Sequence, residues 1–104
     1  MKAIEWVRQQ KERKLRINPF GCTELIVPRA KMADGFEISI QANRFAYCWP
    51  REDICDSYSS FELGYPSDPD DLIEGYREGD IFPWVPAEIV EQLVENHGGI
   101  VGPA

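Results

Sequence analysis

The chain predicts an α+β fold, a small antiparallel sheet of about three strands flanked by an N-terminal and a C-terminal helix. Three observations carry this reading. A Gly- and Pro-free stretch of good helix formers opens the chain, two later runs alternate apolar and polar residues with period two, and an apolar stripe at helical spacing closes it. A length of 104 residues suits one domain, able to bury roughly 60–65 % of its unfolded surface. We therefore expect a single unit over 1–104, made of a basic helix (1–16), a sheet region (17–66), an acidic loop (67–84) and a helix (85–98).

In the first segment Ala3, Ile4, Trp6 and Val7 precede Arg8, Lys11, Arg13 and Lys14, so apolar residues crowd the first turns and cations the last, where the helix dipole favours them. Asn18-Pro19-Phe20-Gly21 breaks this helix. Thr23-Glu24-Leu25-Ile26-Val27 reads as a strand closed by Pro28, paired across residues 28–35 with Phe36–Ala42. In the latter, Phe36, Ile38, Ile40 and Ala42 face the core and Glu37, Ser39 and Gln41 the other side. A third strand, Ser59–Tyr65, places Phe61, Leu63 and Tyr65 on one face and stops at Pro66. Asp68-Pro69-Asp70-Asp71 marks an exposed turn. Pro86 at the first helical position and Glu88 in the first turn start the last helix. Its stripe is Ile89, Val90, Leu93 and Val94, and Gly98 suits a left-handed cap. Gly102-Pro103-Ala104 is expected to fray.

The net charge is −7, unevenly spread: +4 over residues 1–16, zero over 17–49 and −8 over 50–80. A mostly negative surface argues against direct nucleic-acid binding, because a phosphate backbone needs a positive face. No run approaches the roughly 20 apolar residues of a membrane span, and the N-terminus lacks the apolar stretch of a secretory signal, so a cytoplasmic location is expected. Three cysteines, Cys22, Cys48 and Cys55, are an odd number without paired spacing, which fits free thiols in a reducing compartment. Together with the sole histidine, His97, they lack the close ligand pairs of a zinc site, so neither metal nor cofactor is expected.

The chain shows no enzyme signature. Its carboxylates lie in turn-rich, solvated stretches rather than converging on a cleft, His97 sits at a helix end without a neighbouring acid in sequence, and Cys48 lies between Tyr47 and Trp49, a setting that raises a thiol pKa. No phosphate-cradling Gly-rich loop is present. The most informative segment is Tyr47-Cys48-Trp49-Pro50-Arg51. Its rings fill the core, form an exposed interface patch, or line a small-ligand pocket, and filling the core is the commonest use of such residues in a small domain.

Asp34-Gly35-Phe36, Ser39-Ile40-Gln41-Ala42, Tyr47-Cys48-x-Pro50-Arg51, Glu62-Leu63-Gly64-Tyr65-Pro66-Ser67, Val85-Pro86 and His97-Gly98-Gly99 together resemble a family of small uncharacterised proteins of tailed bacteriophages and prophages. The resemblance spans about residues 34–99 and brings no family function. It implies an accessory protein of the infected bacterial cell that binds and inhibits a host or defence-system protein, of the anti-CRISPR kind. An acidic member would present carboxylates where a nucleic-acid-binding enzyme expects phosphates. The expected contact residues are Tyr47, Trp49, Arg51, Asp53, Asp56, Asp68, Asp70, Asp71 and Glu74, with Glu78 and Asp80 beside them. The alternative is a nucleotide-binding or sequestering protein using Arg44, Trp49 and Arg51, which weakens if Arg44 and Arg51 are held in ion pairs. A three-stranded sheet with two helices leaves a face or edge to cover, which suits a homodimer.

Overall fold

The computed structural model describes residues 1–18 and 25–104. Along the chain run α1 (Ala3–Ile17), β1 (Ala30–Met32), β2 (Glu37–Gln41), β3 (Ser60–Gly64), α2 (Asp71–Glu74), β4 (Ile81–Pro86), α3 (Ala87–Asn96) and β5 (Ile100–Pro103). The strands form one sheet in the order β4-β3-β2-β1-β5, with every neighbouring pair antiparallel. β1 to β4 thus make a meander, and α3 carries the chain back to the far edge, where β5 pairs with β1.

Burial of alternate residues explains this layering. Ile38 and Ile40 of β2, Phe61 and Leu63 of β3, and Phe82 and Val85 of β4 join Trp6 and Val7 of α1 and Val90, Leu93 and Val94 of α3 in one core. All are 2 % exposed or less. Each such side chain contributes about 1.5–3 kcal/mol through burial. The helices thereby cover one face of the sheet, while Glu37, Ser39, Gln41 and Glu62 point away from the core and stay half-exposed.

The α+β class holds, but the sheet has five strands where the sequence predicts about three. The predicted strand over 23–27 is replaced: Thr23 and Glu24 lie outside the described residues, and Leu25–Val27 pairs with no strand. Leu25 and Val27 are buried for their hydrophobicity, and the Gln41 side-chain amide satisfies the Val27 backbone, accepting from its N–H at 2.9 Å and donating to its carbonyl at 2.7 Å. The strand facing β2 is β1, beyond Pro28, in the register Ala30↔Ile38. Within the predicted acidic loop over 67–84 lie α2 and the start of β4. β4 carries Pro83 and Pro86, which an interior strand would reject and an edge strand tolerates. Pro86 closes β4 and caps α3 rather than occupying its first turn. The tail expected to fray is β5, again an edge strand. Tyr65, expected inward with Phe61 and Leu63, is exposed, because β3 ends at Gly64 and the chain turns through a left-handed conformation at Tyr65 (φ 51°).

His97 fastens the end of α3 to two other parts of the chain. Its Nδ1 lies 2.7 Å from Asp34 Oδ2 and its Nε2 2.8 Å from Asp70 Oδ2, while its ring stacks on Phe36 at 4.0 Å. Asp70 also accepts from the Leu72 N–H at 3.0 Å as the N-cap of α2. Gly98 follows at φ 89°, where a Cβ would stand 2.9 Å from that of Ala33, so the turn bearing Asp34 packs directly on the helix end. Only the imidazolium donates from both nitrogens. Burial works against its charge, but the hydrogen bonds to Asp70 and Asp34 outweigh burial and raise the His97 pKa.

A raised folded-state pKa gives stability that is complete below the unfolded value, about 6.5, and lost as pH rises through the folded one. Denaturant midpoints are therefore expected to fall as pH rises from about 6.5, and His97→Gln to flatten that fall and lower stability by about 1–3 kcal/mol at pH 6. Lys11, with its pKa lowered to about 8 by burial, acts in the opposite direction and only from about pH 8 upward. An unchanged pH profile in His97→Gln would contradict the role given to the imidazolium.

Candidate functional site

Between β2 and β3 the chain makes an irregular connection over residues 42–59, held from beneath by α1. Lys11 is only 4 % exposed. Its Nζ donates to the Ala42 carbonyl, to the Asp53 carbonyl at 2.5 Å and to the Tyr58 hydroxyl at 2.8 Å. Tyr58 in turn donates to the Glu52 carbonyl at 2.7 Å. Asn43 closes the first turn, its buried Oδ1 accepting from the N–H groups of Phe45 at 2.9 Å and Ala46 at 2.8 Å. From there the chain runs through turns and bends along which burial alternates. Ala46 and Cys48 turn inward and are buried, while Phe45, Tyr47 and Trp49 turn outward and are exposed.

Trp49 bridges to Ser60 of β3, and two further contacts lock Tyr47 to the sheet. The Tyr47 N–H donates to Glu62 Oε1 of β3 at 2.9 Å, and the Tyr47 carbonyl accepts from the Trp84 N–H of β4 at 2.9 Å. The two rings lie 5.1 Å apart at 48°. Trp84 itself holds φ 49°, a left-handed conformation that disfavours a bulky side chain. Backbone strain at an exposed tryptophan means that the surrounding pairing overrides local preference to present this ring. Tyr47 and Trp84 form an open cleft of about 310 Å³ with Ile81 and Glu78. A second cleft of about 290 Å³ lies along the same face, lined by Phe45, Tyr65, Glu62 and Gln41 among others. A larger cleft of about 620 Å³ sits between the start of α1 and α3. Its Glu91 is committed, accepting from the Ala3 and Ile4 N–H groups at 2.7 and 3.2 Å to cap α1.

The structure separates the sequence-predicted residues into those available to a partner and those used internally. Tyr47 and Trp49 are 42 % and 63 % exposed, so of the three readings left open by the sequence, filling the core is overturned. The legible signal was small residues at Ala46 and Cys48 alternating with aromatics. Arg51 lies with its guanidinium 5.8 Å from the Tyr47 ring and donates to the Phe45 carbonyl at 3.3 Å. Arg44 pairs with Asp53 at 3.5 Å, and Asp53 also accepts from the Arg44 N–H at 3.0 Å. Neither cleft on this face is lined by Arg44, Trp49 or Arg51, and the tethered Arg44 weakens the nucleotide reading.

Among the acids, Asp53 is bound to Arg44, Asp70 to His97 and the α2 cap, and Glu74 to Arg77 at 2.6 Å. Asp56, Asp68 and Asp71 remain exposed. Trp84, missed by the sequence reading, reaches the site only because β4 pairs with β3. Among the described residues no group of three or more His, Cys, Asp or Glu side chains is placed to hold a metal ion. Cys22 lies outside those residues, and burial pushes the Cys48 thiol pKa up. No helix among the described residues is long and apolar enough to cross a membrane.

The chain is thus an α+β domain that displays an aromatic surface on the face of its sheet away from the helices. No family model, no curated protein and no solved structure matches it.

Lys11→Met removes the donor shared by three oxygens, leaving the Ala42 and Asp53 carbonyls without it beside an apolar stem and the Tyr58 hydroxyl with only its bond to the Glu52 carbonyl. We expect a loss of about 2–4 kcal/mol in urea unfolding. Faster amide hydrogen exchange is expected across Asn43–Tyr58 than across β2 and β3, and uniform acceleration of exchange would show that Lys11 supports the core at large.

Proposed function

We propose that this protein acts by binding another protein through the aromatic surface of Phe45, Tyr47, Trp49, Tyr65 and Trp84. The observation that carries the reading is the Tyr47–Trp84 pair, exposed yet fixed by a backbone hydrogen bond of 2.9 Å. Exposed aromatics held rigid before binding lose little conformational freedom on association, which is why tyrosine and tryptophan dominate interface hot spots. A further support is cost: the fold keeps Trp84 at φ 49° and Tyr65 at φ 51° with their rings toward solvent. A solvated face with no partner gains nothing from that strain.

The resemblance to phage-encoded proteins makes the partner a host or defence protein and the outcome of binding inhibition. Nucleic-acid mimicry by the whole acidic run has less support, since Asp53, Asp70 and Glu74 are engaged within the molecule. The acids then serve as a border to the aromatic surface, with Glu78 lining the Tyr47–Trp84 cleft. Among the described residues no cluster of candidate catalytic groups converges on either cleft of this face, and the proposal includes no catalytic step.

The test is capture of the partner from bacterial lysate by the wild-type protein and by Tyr47→Ala and Trp84→Asn, asparagine being tolerant of left-handed backbone. Both variants are expected to melt within a few degrees of wild type and to bind the captured partner at least tenfold more weakly, about 1.4 kcal/mol. Full affinity in both variants would end the reading.

A further inference from the structure

The cleft between Tyr47 and Trp84 has a chemistry more specific than an apolar patch. Its two rings, tilted at 48° to each other, border a space of about 310 Å³, and exposed Glu78 and the aliphatic side chain of Ile81 complete the lining. The faces of aromatic rings are electronegative and attract cations, tryptophan most strongly, and a carboxylate at the rim adds a hydrogen-bond acceptor for an N–H group. Glu62, the nearest carboxylate on β3, is occupied by the Tyr47 N–H, so Glu78 is the acid facing the cleft.

The surrounding charge has the same sign. Residues 50–80 carry −8, and Asp80 is exposed two residues beyond Glu78. Of the two arginines in that stretch, Arg77 is held by Glu74 at 2.6 Å and by the Gly79 carbonyl at 3.2 Å. The other, Arg51, already lies 5.8 Å from the Tyr47 ring, while no cation lies over Trp84 among the described residues. The surface thus accepts a guanidinium from its own chain on one ring and leaves the adjoining ring open.

Resting on the binding role given to this surface above, we propose that the Tyr47–Trp84 cleft takes a lysine or arginine side chain of the partner protein, with Glu78 pairing its charge. The site would select partners with a basic patch, such as proteins whose own ligand is a phosphate backbone. Selection then comes from one anchored cation in a rigid aromatic corner, not from a broad acidic face.

The probes are N-acetyl-arginine N-methylamide and its neutral isostere N-acetyl-citrulline N-methylamide, titrated into the ¹⁵N-labelled full chain. Shifts are expected at the Trp84 indole N–H and at the amides of Tyr47 and Glu78, with millimolar affinity for arginine and at least fivefold weaker binding of citrulline. Glu78→Gln should weaken arginine at least fivefold and Trp84→Asn should abolish the shifts. Glu12→Gln, which removes the same charge from exposed α1 on the helix-covered side, should leave the affinity within twofold. Equal binding of citrulline, or equal weakening by Glu12→Gln and Glu78→Gln, would overturn the proposal. With the captured partner the two readings separate. If Trp84→Asn loses the partner while Glu78→Gln keeps full affinity, the cation site fails and the binding surface stands; if neither variant loses it, both fail.

Discussion

The ammonium group of Lys11 is where the irregular half of the molecule is fastened to the regular half. A cation removed from water must find replacements for its hydration, and at 4 % exposure Lys11 finds them in the Ala42 and Asp53 carbonyls and the Tyr58 hydroxyl. These oxygens come from both ends of the connection between β2 and β3, so one side chain of α1 sets where that connection starts and where it returns. Burial lowers the Lys11 pKa to about 8, because an apolar surrounding resists the charge. Once the ends are fixed, Asn43 closes its turn and the bent run that follows buries Ala46 and Cys48. Tyr47 and Trp49 then have only the outside to occupy.

The same economy of polar contacts governs the other end of the molecule. His97 joins the last turn of α3 to the β1–β2 turn through Asp34 and to the cap of α2 through Asp70. An imidazolium between two carboxylates holds three segments with few atoms, which suits a chain of 104 residues with one modest core. It also takes Asp70 out of the surface charge, as Arg44 takes Asp53 and Arg77 takes Glu74. A run that reads as uniformly acidic is therefore partly structural.

An exposed sheet face is a hazard as well as an opportunity, because it invites unspecific association. Both edge strands here are defended: β4 carries two prolines and gives its Trp84 N–H to Tyr47, and β5 contains Gly102 and ends at Pro103. The aromatic face is left open while the edges are closed. This combination fits an interface made by side chains rather than by strand addition.

α1, α3 and the two central strands were legible in the sequence because their signals are local. The period-two pattern of Phe36–Ala42 and of Phe61 and Leu63 matches their burial, and the Val90, Leu93 and Val94 stripe faces the core as its spacing requires. The edge strands were illegible for a physical reason: β4 and β5 carry Gly and Pro, which sequence preference assigns to loops and which an edge tolerates. Among the predicted contacts, Tyr47 and Trp49 were recognised as chemically notable, but whether they were core or surface depended on Lys11, thirty or more residues away in the chain. Trp84 could not be found at all, since only the pairing of β4 with β3 brings it beside Tyr47. Local pattern was enough for the α+β class, the core faces of β2 and α3 and the acidic balance, all properties of neighbouring residues. The tertiary structure alone decided which aromatics meet and that Asp70 is engaged while Asp68 and Asp71 stay exposed, because these depend on hydrogen bonds between distant segments that no local pattern encodes.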